Sequence, residues 1–102
     1  MRTSIPIGFA LLLALRASTA WAQPLVAEDA AAFEAAVQAL GRGAHTEAIQ
    51  QLELLADRGV LHPDLSFDRA VAYGRRGRSA QARPGDLGRA AYALSEALAL
   101  RP

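Results

Sequence analysis

From Glu28 onward the chain is written in short stretches rich in Ala, Leu and Glu, each cut off by Gly or Pro. Few residues in them are β-branched, and their apolar positions recur at spacings of three and four. That periodicity belongs to helices and not to strands. The punctuation keeps each helix to a few turns, so the only compact solution is to fold neighbours back as antiparallel hairpins. An all-α architecture is therefore expected.

Four helices are predicted. The first runs from Glu28 to Leu40, with Glu28 and Asp29 at the positive end of its dipole and Phe33, Ala36, Val37 and Leu40 on one face. Gly41-Arg42-Gly43 closes it. Thr46 is the expected N-cap of a second helix that ends before Gly59, with Ala48, Ile49, Leu52, Leu55 and Ala56 as its stripe. After His62-Pro63, Asp64 is placed as the cap of a third helix carrying Leu65, Phe67, Ala70, Val71 and Tyr73. Pro84-Gly85 turns the chain again. Asp86 is expected to cap a fourth helix whose inner face is Leu87, Ala90, Ala91, Leu94, Ala97 and Leu98.

The first 22 residues read differently. Arg2 precedes an apolar run of 11 residues, Ile5 to Leu15, and Ala20-Trp21-Ala22 offers small residues where a signal peptidase reads. The run is too short for a membrane span, which needs about 20 apolar residues. Residues 1–22 are thus expected to be a signal peptide cleaved after Ala22, touching the membrane only in transit. The protein would be exported, to the periplasm in a bacterial cell. Residues 23–28, with Pro24, form a lead-in, and residues 29–102 the helical region.

Removing the leader takes two of the eleven arginines and leaves nine against ten acids, a net charge of −1. A nearly neutral domain is a poor fit to nucleic acid, which calls for clustered positive excess. The chain has no cysteine. Disulfides, thiol chemistry, Cys-ligated zinc and a lipid-bearing Cys after the leader are all excluded by that. The mature chain therefore depends on its apolar core alone, near the lower size limit for independent folding.

The two hairpins, residues 29–62 and 63–102, echo one another. Ala48, Leu52 and Leu55 follow Gly43 at the same three intervals at which Ala90, Leu94 and Ala97 follow Gly85. Ala36 and Ala39 precede Gly43 as Ala70 and Tyr73 precede Gly77. Self-similarity of this kind marks a repeat array. On these residues, and on the closing Ala97 to Pro102 segment, the chain resembles the tetratricopeptide repeat family. The resemblance implies about two stacked helical hairpins, a concave docking surface built from the first helix of each, and a protein or peptide partner. The leader followed by such hairpins also resembles repeat proteins of bacterial aerotolerance-type envelope operons.

Two departures from the family pattern matter. The period is about 34 residues in the family, but Ala48 and Ala90 are 42 apart, with the excess in residues 77–85. This insertion either loops out or lengthens the third helix, and its composition favours a helical extension that frays. Arrays also usually need three repeats and a polar cap. Either the chain is a piece of a longer product with its functional domain beyond Pro102, or it pairs with a second copy or another subunit as a self-associating structural element.

Catalysis finds no support. His45 and His62 fall singly in predicted turns, without the paired spacing of a metal site, and Ser66, Ser79 and Ser95 lack a nucleophile elbow. Gly85-Asp86-Leu87-Gly88 lacks the lysine of a phosphate loop. No enzyme activity, cofactor or metal is expected. The feature with binding character is the cluster Arg75, Arg76, Arg78, Arg83 and Arg89, whose planar forks suit acidic side chains. Within the family, one subgroup grips a partner's terminal carboxylate through polar first-helix residues. Here Phe33, Val37, Phe67, Asp68 and Val71 stand at those positions, so apolar contacts through Phe67 or Tyr73 are implied instead. The candidate partner-binding residues are Arg75, Arg76, Arg78, Phe67 and Tyr73.

Overall fold

A computed structural model describes residues 25–101. The signal peptide, its cleavage point and the start of the lead-in lie outside the described residues. The described chain is four α-helices: α1 Ala27–Gly41, α2 His45–Asp57, α3 Pro63–Gly77 and α4 Asp86–Leu100. The all-α architecture expected from the periodicity is what forms.

The first two helices end alike. Gly43 and Gly59 adopt φ of +76° and +83°, the left-handed region that glycine enters without steric cost. In each case the next amide reaches back five residues, Ala44 N–H to the Ala39 carbonyl and Val60 N–H to the Leu55 carbonyl. The glycine amide itself reaches back three. Carbonyls left over at the helix end are satisfied this way, and the chain reverses in a few residues.

The N-termini depart from expectation. Ala44, not Thr46, is at the N-cap of α2. His62 caps α3, its Nδ1 accepting from the Asp64 amide at 3.1 Å. Pro63 takes the first helical position, where its fixed φ suits the helix and its missing N–H costs nothing, so the cap moves back from Asp64. Gly85 holds the N-cap of α4 at φ +87°, and Asp86 becomes the first helical residue, facing inward.

Stacking follows chain order. α1 packs on α2, α2 on α3, and α3 on α4, with α3 also touching α1. The core lies among the first three helices: Ala36, Ala39, Leu40, Ala48, Ile49, Leu52, Leu55, Leu65, Ala72 and Tyr73. Val37, expected inside, is half-exposed, and Ala39 takes its place. α4 has α3 as its only helical neighbour among the described residues.

The insertion does not extend α3. The helix stops at Gly77, and residues 78–85 loop out. Ser79 Oγ donates to the Arg76 carbonyl at 2.8 Å and accepts from the Gln81 amide at 3.1 Å, which diverts the backbone from helical pairing. The loop returns α4 tightly onto the end of α3. A Cβ added at Gly77 would lie 2.8 Å from Leu87 Cδ2 and 3.1 Å from Asp86 Cβ.

The fourth helix turns a different face inward from the one its apolar pattern suggests. Ala93 and Ala97 are buried and Ala90 partly so, against the small residues of α3. A Cβ on Gly74 would sit 3.8 Å from Ala90 Cβ. Small residues on both sides let the backbones close up. Leu87, Leu94 and Leu98, expected inside, are left 55%, 42% and 63% exposed.

Candidate functional site

Three features could carry function: a buried ion pair, a polar cleft and an apolar groove. The ion pair joins α3 to α4. Arg76 Nη2 and Nε donate to the two oxygens of Asp86 at 2.8 and 3.1 Å, a bidentate fork. Both side chains are almost fully buried. The Arg83 amide adds a third bond to Asp86 at 2.8 Å, and Arg76 Nη1 reaches Thr46 Oγ1 on α2 at 3.3 Å. Chiefly because Arg76 donates to it, the Asp86 carboxyl is held down to about 2. Arg76 is therefore consumed inside the fold and has no free fork to offer a partner. The sequence places it in the exposed basic cluster, and the structure corrects that.

A second polar network lies between α2, α3 and α4. Arg69 donates to Glu53 on α2 at 3.2 Å and to Glu96 on α4 at 2.9 Å. Tyr73 donates its phenolic proton to Glu53 Oε2 at 2.6 Å. Burial, with that bond to Glu53, pushes the phenol up to about 12. Tyr73 is thus a core residue with its hydroxyl committed, although its ring edges a cleft of ≈ 350 Å³ with Glu53, Arg69, Arg89 and Tyr92. The Arg89 guanidinium lies 5.9 Å from the centre of that ring. Arg89 also reaches the Pro84 carbonyl at 3.1 Å and Asp86 at 3.9 Å, so every charge there already has a partner within the fold.

The groove lies between α3 and α4, with no residue of α1 or α2 in its lining. Pro63, Asp64, Phe67, Leu94, Ala97, Leu98 and Arg101 enclose ≈ 340 Å³. Phe67 is 51% exposed and forms one wall; Leu94 and Leu98 form the other. Asp64 and Arg101 pair at 2.9 Å across its end. Three large apolar side chains converging in water are unusual on a small surface, where such residues normally stand singly.

The five candidate residues are therefore divided. Phe67 lines the groove. Arg75 and Arg78 are exposed on α3 and just beyond it, and neither makes an ion pair among the described residues. Arg76 and Tyr73 belong to the interior. Sequence reasoning missed the Arg76–Asp86 bridge, since nothing in a ten-residue spacing across a loop announces it. It also missed Leu94 and Leu98 as surface residues. The signal available for Leu94 was the repeat itself, because its counterpart Leu52 is buried only where a following helix covers it.

His45 and His62 are not free turn residues: His45 begins α2 and His62 caps α3. Among the described residues no three His, Cys, Asp or Glu side chains come together as metal ligands would. No described helix is long and apolar enough to cross a membrane. Compared with models of known protein families, with curated proteins and with solved structures, the chain matches none.

Proposed function

We propose that the chain is a protein-interaction module of tetratricopeptide type, exported from a bacterial cell, which works by docking a helical partner segment and not by catalysis. The observation that carries this reading is the uncovered groove of Phe67, Leu94 and Leu98. In the repeat register Leu52 of α2 corresponds to Leu94 of α4. Leu52 is fully buried where α3 lies over the first hairpin, whereas Leu94 is open to water. The second hairpin thus offers the kind of surface on which the first already receives a helix. An amphipathic helix laid into an apolar groove is a common mode of peptide recognition.

Export rests on the leader read from the sequence, and the repeat family on the spacing of its Ala, Leu and Gly positions. Stacking of each helix on the next in chain order, with α3 also reaching α1, supports the array. The test is a photo-reactive residue at Leu98 in cells that make the protein. An adduct to a protein chain, lost when Leu94→Glu is added, is expected. No adduct at Leu98, with a folded protein in the envelope fraction, would contradict the reading.

A further inference from the structure

The insertion that breaks the repeat period also builds one wall of a further cavity. It encloses ≈ 440 Å³ between α2, α3, the loop after α3 and the start of α4, and shares Tyr73 and Arg89 with the polar cleft. The polar side chains lining it are Thr46 and Gln50 of α2, Arg76 of α3, Arg83 of the loop and Arg89 of α4. No carboxylate is among them. Arg76 has spent its fork on Asp86, so it contributes charge to the wall and little grip. Thr46 Oγ1 accepts from Arg76 and keeps its own hydroxyl proton to donate. The side chain of Arg83 is exposed and makes no ion pair among the described residues.

Charge around this cavity does not balance. Arg76, Arg83 and Arg89 share a single acid, Asp86. Its Oδ1 lies 2.8 Å from Arg76 Nη2 and 3.9 Å from Arg89 Nη1, and the carboxylate is buried behind them. Glu53, which reaches Tyr73 from the adjacent cleft, is taken by Arg69, and Glu47 pairs with Arg42. Two positive charges, those of Arg83 and Arg89, are thus left without an acid of their own. Both are held in place. The Arg83 amide donates to Asp86 Oδ2 at 2.8 Å, and its carbonyl accepts from the Asp86 amide at 3.1 Å. Arg89 is tethered through Nη1 to the Pro84 carbonyl at 3.1 Å. Groups ordered in advance lose less entropy when a ligand arrives.

From this convergence of arginines on a cavity with no acid in its lining, we propose that it binds a phosphate monoester, gripped by Arg83 and Arg89. Arginine forks match the oxygens of a phosphate. A dianion offsets both charges at once, where a single carboxylate would offset only one. Thr46 and Gln50 supply neutral donors for the remaining oxygens. Ile49, Tyr73 and Pro84 give the cavity an apolar side on which the organic group of the ester lies. The volume falls in the range of small-molecule sites and leaves room beyond the phosphate itself. The cavity has no lining residue in common with the α3–α4 groove, so the proposal is independent of helix docking there.

The test is calorimetric titration of the purified chain with phenyl phosphate, inorganic phosphate and benzoate at constant ionic strength. Phenyl phosphate should bind saturably at one site, inorganic phosphate more weakly, and benzoate, with its single charge, more weakly than the ester. Arg83→Gln and Arg89→Gln should each weaken the ester about tenfold, as loss of a charged hydrogen bond does. Gln50→Glu sets an acid in the wall and should abolish binding. Gln50 is exposed, so that variant reads the site even where an arginine substitution disturbs the loop. Arg78→Gln removes the same charge outside the lining and should stay within about twofold of the parent. Helix content unchanged by circular dichroism keeps a folding defect out of the comparison. No saturable binding of the ester, or an Arg78→Gln loss equal to that of Arg83→Gln, would overturn the site. Benzoate or inorganic phosphate binding as tightly as phenyl phosphate would overturn the phosphate monoester as its ligand.

Discussion

The second and fourth helices hold equivalent places in the two hairpins, yet they are kept in the fold by different forces. α2 is covered on two sides, by α1 and α3. It contributes Ala48, Ile49, Leu52 and Leu55 to the core, an apolar grip that needs no particular geometry. α4 has one neighbour, and its Leu87, Tyr92, Leu94 and Leu98 are left exposed. What α4 buries against α3 is small, Ala90, Ala93, Ala97 and the carboxylate of Asp86, with the edge of Leu87 reaching Gly77. With only small side chains fully buried, its attachment depends on close backbone approach and on the Arg76–Asp86 fork. An element can thus occupy the same place in a repeat and trade hydrophobic burial for a geometry-sensitive bond.

This contrast can be broken at several points. The largest effect is expected at the fork. Asp86→Ala strands the buried Arg76 charge and should cost about 3–5 kcal/mol in urea unfolding. Amide exchange should accelerate along α4 more than along α2; uniform acceleration would mean that the helices are gripped alike. Next comes Leu52→Ala, expected to cost about 2–5 kcal/mol, because a filled site is emptied. Its counterpart Leu94→Ala should cost under about 1 kcal/mol when measured on monomer, since the side chain already meets water. Equal losses would place Leu94 in the core and erase the distinction.

A pH series sharpens the role of the fork. The Asp86 carboxyl titrates at about 2 in the folded chain, below the ordinary aspartate value, so its contribution is present above about pH 4 and is lost as pH falls towards 2. Asp86→Asn should flatten that part of the stability profile. A parent profile as flat as the variant's would show that the pair does not couple to folding. The smallest effect belongs to Arg42 and Glu47, paired at 3.0 Å with both side chains more than half exposed. Glu47→Gln should change stability by no more than about 1 kcal/mol, with whatever contribution there is screened by salt.

Much of the fold was legible because local chemistry decides it. Gly43 and Gly59 end helices since few other residues accept their φ, and Leu52 and Leu55 are buried as their spacing implies. Legibility fails where a choice depends on what lies across space. Asp64 and Asp86 are good N-caps by residue type, but Pro63 and Gly85 shift each boundary. Periodicity shows that Leu87, Leu94 and Leu98 share a face without showing whether anything covers it. The arginine cluster was visible as composition, but only the fold separates Arg76, locked on Asp86, from Arg75 and Arg78 at the surface. Phe67 was the candidate most directly readable, because an aromatic on a first helix is informative whether covered or bare.

The most direct test of the account sets Leu94→Glu beside Leu52→Glu, with unfolding measured by denaturant at concentrations where the protein is monomeric. Leu94→Glu should match the parent within about 0.5 kcal/mol, as surface substitutions do, while association through the α3–α4 face is lost. Leu52→Glu should unfold the chain, because its carboxylate would be buried without a partner. If Leu94→Glu is destabilised as severely as Leu52→Glu, the α4 stripe is core and not a docking face, and the account is wrong at its centre.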